Sequence, residues 1–403
     1  MKARTAAIVS LLALCGMLLA FVFGSGPLGR WLTIALRQPN NRSNHMAVTL
    51  SSGEVVLIDG VSKRSSVGYD PGTGRWRTIG PSKLPAAGQV TALLADGRVL
   101  VCGGFEAGGV IGAGVTALDP ASGNWHDLAP LQDRRAFHSA TTLPDRRVLV
   151  VGGRARDGAT ALSPDNNLHP SNSPLVETST EFYDAQADRW SLGPPLQVGR
   201  EQHSATLLAD GQVLVVGGKG SGPNKVGTAE RFDPRLGIWV NAGALFTPRA
   251  AHTATRLSDG RVLIVGGVGP SDRAITAVER YNPQNDTWQI IAPLRQARVD
   301  HAAVLLPDGE VLIIGGSGTL GNTPTSATFA GTERYDPVTA SWRAAAPLAT
   351  ARRDFTASLL PDGRVLVAGG IDARASGLSS TEIYDPIADR WEKGTPMTRP
   401  RFP

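Results

Sequence analysis

The chain has only two cysteines in 403 residues, and their settings differ. Cys15 lies within the uncharged apolar run from Ala6 to Phe23, and Cys102 closes the stretch V-L-V-C ahead of Gly103-Gly104. No intrachain disulfide is expected from such a pair, and Cys102 reads as a small buried hydrophobe. An excess of charge of one sign is also missing from most of the chain. Residues 1–41 hold Lys2, Arg4, Arg30 and Arg37 and no acid, so the remainder carries 36 of the 40 basic residues against all 35 acidic ones. A body so close to neutral has no footprint for tracking a phosphate backbone, which excludes nucleic acid as the expected partner. Aromatic residues amount to 6%, and there are only five tyrosines.

Lys2 and Arg4 precede the apolar run, and Gly24-Ser25-Gly26 follow it. A basic start, an apolar middle and small residues describe an export signal, cleavable after Gly24. Its 18 residues also reach the lower limit for a membrane-spanning helix. The expected organisation is therefore a signal peptide or signal anchor over 1–26, a linker over 27–41 and a repeat region over 42–403. The location is extracytoplasmic, either secreted or periplasmic or held at a membrane by residues 6–23. The membrane is met through that N-terminal segment alone.

What is plentiful is Gly, at 47, and Pro, at 28. Both suit many short strands joined by tight turns. From residue 42 onward one phrase recurs seven times, each copy with four strand signals. The second strand ends in a glycine pair: 103–104, 152–153, 217–218, 266–267, 315–316 and 369–370, with Asp59-Gly60 in unit one. The turn before it is Asp-Gly in five units, at Asp96, Asp210, Asp259, Asp308 and Asp362, which supplies the positive φ a tight hairpin needs. Asp145-Arg146 and Ser52-Gly53 break that pattern. The fourth strand carries Trp76, Trp125, Trp190, Trp239, Trp288, Trp342 or Trp391. Each unit also has Tyr69, Leu118, Tyr183, Phe232, Tyr281, Tyr335 or Tyr384 on the third strand, and these include every tyrosine in the chain. An aromatic pair on adjacent strands in nearly all units is a packing device between sheets. Burying one such ring contributes roughly 4–6 kcal/mol gross.

A doubled glycine, an aromatic before Asp-Pro and then a tryptophan, at a period near fifty, resembles the kelch repeat. The resemblance covers residues 42–403. It implies an all-β fold, a seven-bladed β-propeller of four-stranded blades, with the apolar N-terminal segment as a preceding helix. Arg401 reaches the position that Arg42 holds at the start of unit one, so the ends should meet at one seam without a shared blade.

In such blades the loop between the second and third strands shares a face with the connections between blades. That face is where the units differ. The gap from Gly153 to Asp184 is 31 residues and that from Gly316 to Asp336 is 20, against a usual 15. The connections carry an arginine column, Arg42, Arg135, Arg200, Arg249, Arg298 and Arg352, with Ala86 as the exception. Three residues later stand His45, Gln89, His138, His203, His252, His301 and Phe355. The arginines are the candidate binding residues. As a ring at the channel mouth they would take an anion bidentately. Alternatively each ties a turn to carbonyls or to Glu181, Glu230, Glu279, Glu333 or Glu382 of the third strands. Kelch propellers that recognise acidic peptides are similar in using inter-blade arginines on this face.

One histidine per blade makes a wide ring rather than a converging metal site, so no metal is expected. Each is read as fixed at its first strand by a local hydrogen bond. Copper radical oxidases with kelch propellers need a Cys–Tyr crosslink with Tyr and His ligands at the channel. Here Cys102 ends a second strand and the tyrosines stand in the packing column, so that chemistry and its cofactor are not expected. The reading is a binding module for a protein or glycan ligand of acidic character. A sugar mutarotase or epimerase, needing only an arginine with a carboxylate or histidine at the mouth, and a passive adhesion module are the alternatives.

Overall fold

The computed structural model describes residues 45–401, apart from 59–64, 82–83, 85–86, 107–108, 157–174, 223 and 320–325. The segment expected to be an export signal, Arg42 and the middle of the unit-three insertion lie outside the described residues.

The second strand of each repeat is an unbroken apolar run, for example Val213–Val216, Val262–Val265 and Val311–Ile314, and every residue of it is buried. A run without polar alternation must be covered on both faces, and that forces each sheet to lie between two others. Seven four-stranded antiparallel sheets do so. They span 46–81, 90–127, 139–192, 204–244, 253–291, 302–345 and 356–393, and are called blades 1 to 7. The first strand of every blade packs against the first strands of both neighbours, and that of blade 7 packs against that of blade 1. The ring is closed, so the chain is a seven-bladed all-β propeller. Its described residues contain no helix.

The apolar clusters lie between blades rather than within them. Leu214 and Val216 of blade 4 meet Val262, Ile264 and Tyr281 of blade 5, and Ala302, Val304 and Leu312 of blade 6 meet Phe355, Val367 and Tyr384 of blade 7. Tyr281 and Trp288 stand opposite each other in register with ring centroids 5.0 Å apart. Each tryptophan then reaches backwards around the ring. Trp288 Nε1 donates to Ala242 O at 2.7 Å, Trp342 to Ala292 O at 2.7 Å and Trp391 to Ala346 O at 2.8 Å. Trp76 does the same to Thr395 O at 2.8 Å, across the seam. The aromatic columns thus bind blade to blade, and a tryptophan is used because it alone combines that area with a fixed donor.

The seam needs no exchanged strand. Blade 7 is formed by its own consecutive strands, and Arg401 comes back to bridge Leu378. Its carbonyl accepts Gly370 N at 2.9 Å, as Arg352 O accepts Gly316 N at 2.9 Å one blade earlier. The two insertions do not leave the blades as plain loops. Each begins as a short ribbon, Arg154–Arg156 with Leu175–Val176 on blade 3 and Ser317–Thr319 with Ser326–Thr328 on blade 6.

The irregular turn at Asp145-Arg146 keeps the geometry of the Asp-Gly turns. Arg146 takes φ 74°, where Gly260 takes 87°. Its side chain is exposed, so replacement removes no buried contact. Arg146→Gly should therefore stabilise the protein by about 0.5–1 kcal/mol, the left-handed cost less the added chain entropy. A chemical denaturation midpoint that moves upward is the expected reading.

Candidate ligand-binding site

The inter-blade connections follow one pattern, arginine, two further residues, then histidine. The arginine enters a slot behind the glycine pair of its own blade. Arg249 Nη2 meets Glu279 Oε1 at 2.5 Å, while Nη1 donates to Ala277 O at 2.5 Å and to Gly266 O at 3.4 Å. Glu279 also receives the backbone N–H groups of Phe246 and Thr247 at 2.7 and 3.0 Å. The same arrangement joins Arg135 to Glu181 at 2.6 Å, Arg200 to Glu230 at 2.7 Å, Arg298 to Glu333 at 2.8 Å and Arg352 to Glu382 at 2.7 Å. The glycines make room for the following connection rather than for the arginine side chain. A Cβ on Gly266, which has φ 59°, would lie 2.6 Å from Arg298 O.

The arginine side chains are 0% exposed at Arg135, Arg200, Arg249 and Arg352, and 2% at Arg298. Burial lowers the pKa of Arg200, Arg249, Arg298 and Arg352, and the paired glutamate opposes that shift. The expectation of an exposed arginine ring is therefore corrected. Glutamate and carbonyl oxygens take these donors, and none of the five guanidiniums faces an incoming anion. Arg42 lies outside the described residues.

The histidines are buried too, and their bonds cross between blades rather than staying local. His203 Nε2 lies 2.9 Å from the Ser139 hydroxyl, His252 Nε2 2.8 Å from that of Ser204, and His301 Nε2 3.0 Å from that of Thr253. His138 meets Cys102 Sγ at 3.5 Å instead. Loss of solvent, then the positive charge of the neighbouring arginine, depresses the pKa of all four, to about 3 for His203 and His301. They are neutral belts around the axis. Burial pushes the Cys102 thiol up to about 12, so it is inert as a nucleophile.

Between these constant columns lie two residues whose combination changes from blade to blade. The second of them has a left-handed backbone, with φ 70° at Gly88, 58° at Phe137, 56° at Gln202, 54° at Ala251 and 55° at Asp300 and Asp354. These residues are linked around the axis by their backbones. Phe137 N donates to Gly88 O at 2.9 Å, Gln202 N to Phe137 O at 3.1 Å, Ala251 N to Gln202 O at 3.0 Å and Asp354 N to Asp300 O at 3.2 Å. Sequence reasoning passed over this position, although its signal was present: it is the variable place between two fixed ones.

Its side chains divide the mouth. On the blade 3 side the Arg154 guanidinium lies 5.4 Å from the Phe137 ring centroid and makes two 2.8 Å bonds to the buried Glu201. On the side of blades 5 to 7 a cavity of about 890 Å³ opens, lined by Asp272, Arg273, Asp300, Ser317, Arg353 and Asp372 among others. Asp300 is 3% exposed and Asp354, just behind, 2%. The Ser317 hydroxyl donates to Asp300 Oδ2 at 3.4 Å, and Arg353 Nη1 donates to Asp354 Oδ2 at 3.0 Å. At the rim Lys225 pairs with Asp272. A more open hollow of about 630 Å³ lies between blades 1 and 2, lined by residues of the turns on the opposite face, and the pair Arg77–Glu54, 2.6 Å apart, forms part of it.

Seven closed blades built on these columns define a seven-bladed β-propeller. The kelch motif matches residues 249–295 and 352–398, which cover blades 5 and 7 of the seven-bladed β-propeller. Among solved structures, that of YjhT superposes with TM-score 0.58 at 14% identity, over 76% of this chain and 97% of its own. A fungal alcohol oxidase of the AA5 family, in complex with copper, superposes with TM-score 0.63 at 19% identity, over 86% of this chain and 73% of its own. Both likenesses show the fold alone. A search of curated protein sequences finds no match.

The described residues of this chain do not fit a copper centre of that kind. Its tyrosines are engaged in the blades, Tyr183 Oη donating to Asp188 at 2.8 Å and Tyr384 Oη to Asp389 at 2.5 Å. Among the described residues no three His, Cys, Asp or Glu side chains are placed to hold a metal ion.

Proposed function

We propose that the chain is an exported binding propeller whose ligand enters the cavity formed by blades 5 to 7 on the connection face. The export part rests on Lys2 and Arg4 ahead of the apolar run and the small residues after it. One observation carries the binding part: connection residues that change from blade to blade, Val299, Asp300 and Arg353, are the ones that line the cavity. Columns serving the frame repeat, and columns serving a ligand need not. An acidic peptide or anionic glycan loses its support here, because the guanidiniums that would hold it are buried.

Plugging the cavity tests this reading. Ala373 is exposed and lines the rim, so Ala373→Cys labelled with a bulky maleimide should fold normally and exclude the ligand. Wild-type propeller incubated with a small-molecule extract and desalted should retain masses, read by native mass spectrometry, that the plugged protein does not. Identical masses in both, or none in either, would refute the site.

A further inference from the structure

The fourth strand is the outermost of every blade, so one side of its backbone has no strand beside it. Such an edge invites pairing with another chain, and charged side chains along it discourage that. A charged residue stands on this strand in blades 1, 2, 3, 6 and 7, among them Arg75, Asp127, Arg189, Arg343 and Arg390. The strands of blades 4 and 5, Ile238–Ala244 and Thr287–Ile291, carry none. Large apolar side chains gather there instead, with Leu236 69% exposed, Ile238 45%, Phe246 61% and Ile290 64%. The other blades show that the frame does not require them. Ile238 stands opposite Asp233, where Arg75, Arg189 and Arg390 stand opposite Asp70, Asp184 and Asp385. Phe246 and Ile290 share Glu279, which accepts Phe246 N and lies across the strands from Ile290. The corresponding pairs are Gln132 with Leu192, Gln197 with Asn241, Arg295 with Ala344 and Ala349 with Lys393. In none of those four are both residues large and apolar.

Their placement says what covers them. Leu236 and Ile238 stand at one end of the strand Ile238–Ala244, and Phe246 and Ile290 lie at the other. A two-fold axis near Asn241 therefore brings the Leu236 end of one copy against the Phe246 end of a second. The same contact recurs across the axis, which is the mark of an isologous interface. Antiparallel self-pairing also needs a neutral strand, because a charge near the axis would face its own copy. Blade 4 offers that strand over seven residues, against five in blade 5. We infer that the chain forms a two-fold dimer in which Ile238–Ala244 pairs with its own copy. The four apolar side chains expose roughly 400 Å², about half of the ~800 Å² that each partner buries in a standard interface. The strand backbone and the exposed Arg235, Asn241 and Gln289 supply the rest. This surface is on the outer rim, apart from the cavity at the mouth, so the inference stands or falls without that cavity.

Sedimentation equilibrium of the whole chain tests it, in a density-matched detergent that keeps the apolar N-terminal run from associating. Wild-type protein at micromolar concentration should have twice the mass of one chain. Ile238→Arg copies blades 1, 3 and 7, so its thermal midpoint in dilute solution should stay level. It should nevertheless weaken association about tenfold or more, because each copy then carries a charge into the apolar contact. Leu236→Lys and Phe246→Glu, both at exposed positions, should weaken it likewise. Mixing those two proteins should restore the dimer, since the axis brings residue 236 of one copy to residue 246 of the other. A monomeric wild type, a dimer indifferent to Ile238→Arg, or a mixture that associates no better than its components would each overturn the inference. A wild-type monomer that instead binds an added extended peptide along this strand would assign the edge to a different partner and overturn it as well.

Discussion

Arg249→Ala should destabilise the propeller by about 3–5 kcal/mol, the cost of leaving a buried ionic partner alone. Glu279 is only 2% exposed and would keep its two backbone donors while losing the guanidinium that neutralises it. Arg249→Lys should fail to rescue, since an ammonium cannot reach Glu279, Ala277 O and Gly266 O from one planar fork. The sequence indicates the compensating change. Unit two has Ala86 at the arginine position and Thr116 at the glutamate position, so both partners are missing together. Arg249→Ala combined with Glu279→Thr should therefore recover part of the loss. Denaturant midpoints of the four proteins in that cycle give the coupling directly, and additive losses would contradict a paired role.

Acid should unfold the protein well above the pH at which its carboxylates titrate. His138, His203, His252 and His301 have folded pKa values below that of an unfolded histidine, near 6.5. Below pH 6.5 the unfolded chain binds more protons than the folded one, so stability falls as pH falls. It is fully present above about pH 6.5 and declines towards about 3, the value for His203 and His301. Each histidine costs about 1.4 kcal/mol per pH unit across that window, so the four together remove roughly 5 kcal/mol by pH 5.5. Midpoints of denaturation from pH 8 to pH 5 should show this slope. His252→Gln, which copies Gln89, should flatten it by about a quarter, whatever it does to stability at pH 8. A flat profile would show that the rings are not buried as neutral groups.

The architecture could be read from the sequence because its determinants repeat in step. The tryptophan and tyrosine columns, the glycine pairs and the Asp-Gly turns each recur, and the structure places each in the same part of every described blade. The arginines could be located but not assigned. The spacing from Arg249 to His252 is the same whether the guanidinium faces water or Glu279, and only burial decides between them. The histidine partners were hidden for a related reason. Ser204 and His252 belong to different blades, and a contact across a sheet interface leaves no trace in local spacing. The cavity was harder still, because Asp272, Asp300, Ser317, Arg353 and Asp372 come from three blades and meet only when the ring closes. Its one sequence signal was variation, at Asp300 and Arg353, between columns that do not vary.

The most direct test of this division between constant and variable columns compares two changes in neighbouring blades by denaturant midpoint. One removes a frame residue, Arg249→Ala. The other grafts the blade 5 connection onto blade 6 through Val299→Ala and Asp300→Ala, reproducing Ala250 and Ala251. The midpoint should drop sharply for the first and hold or rise for the second. A graft that unfolds the protein as readily as the loss of Arg249 would contradict the claim that those two positions vary without cost to the frame.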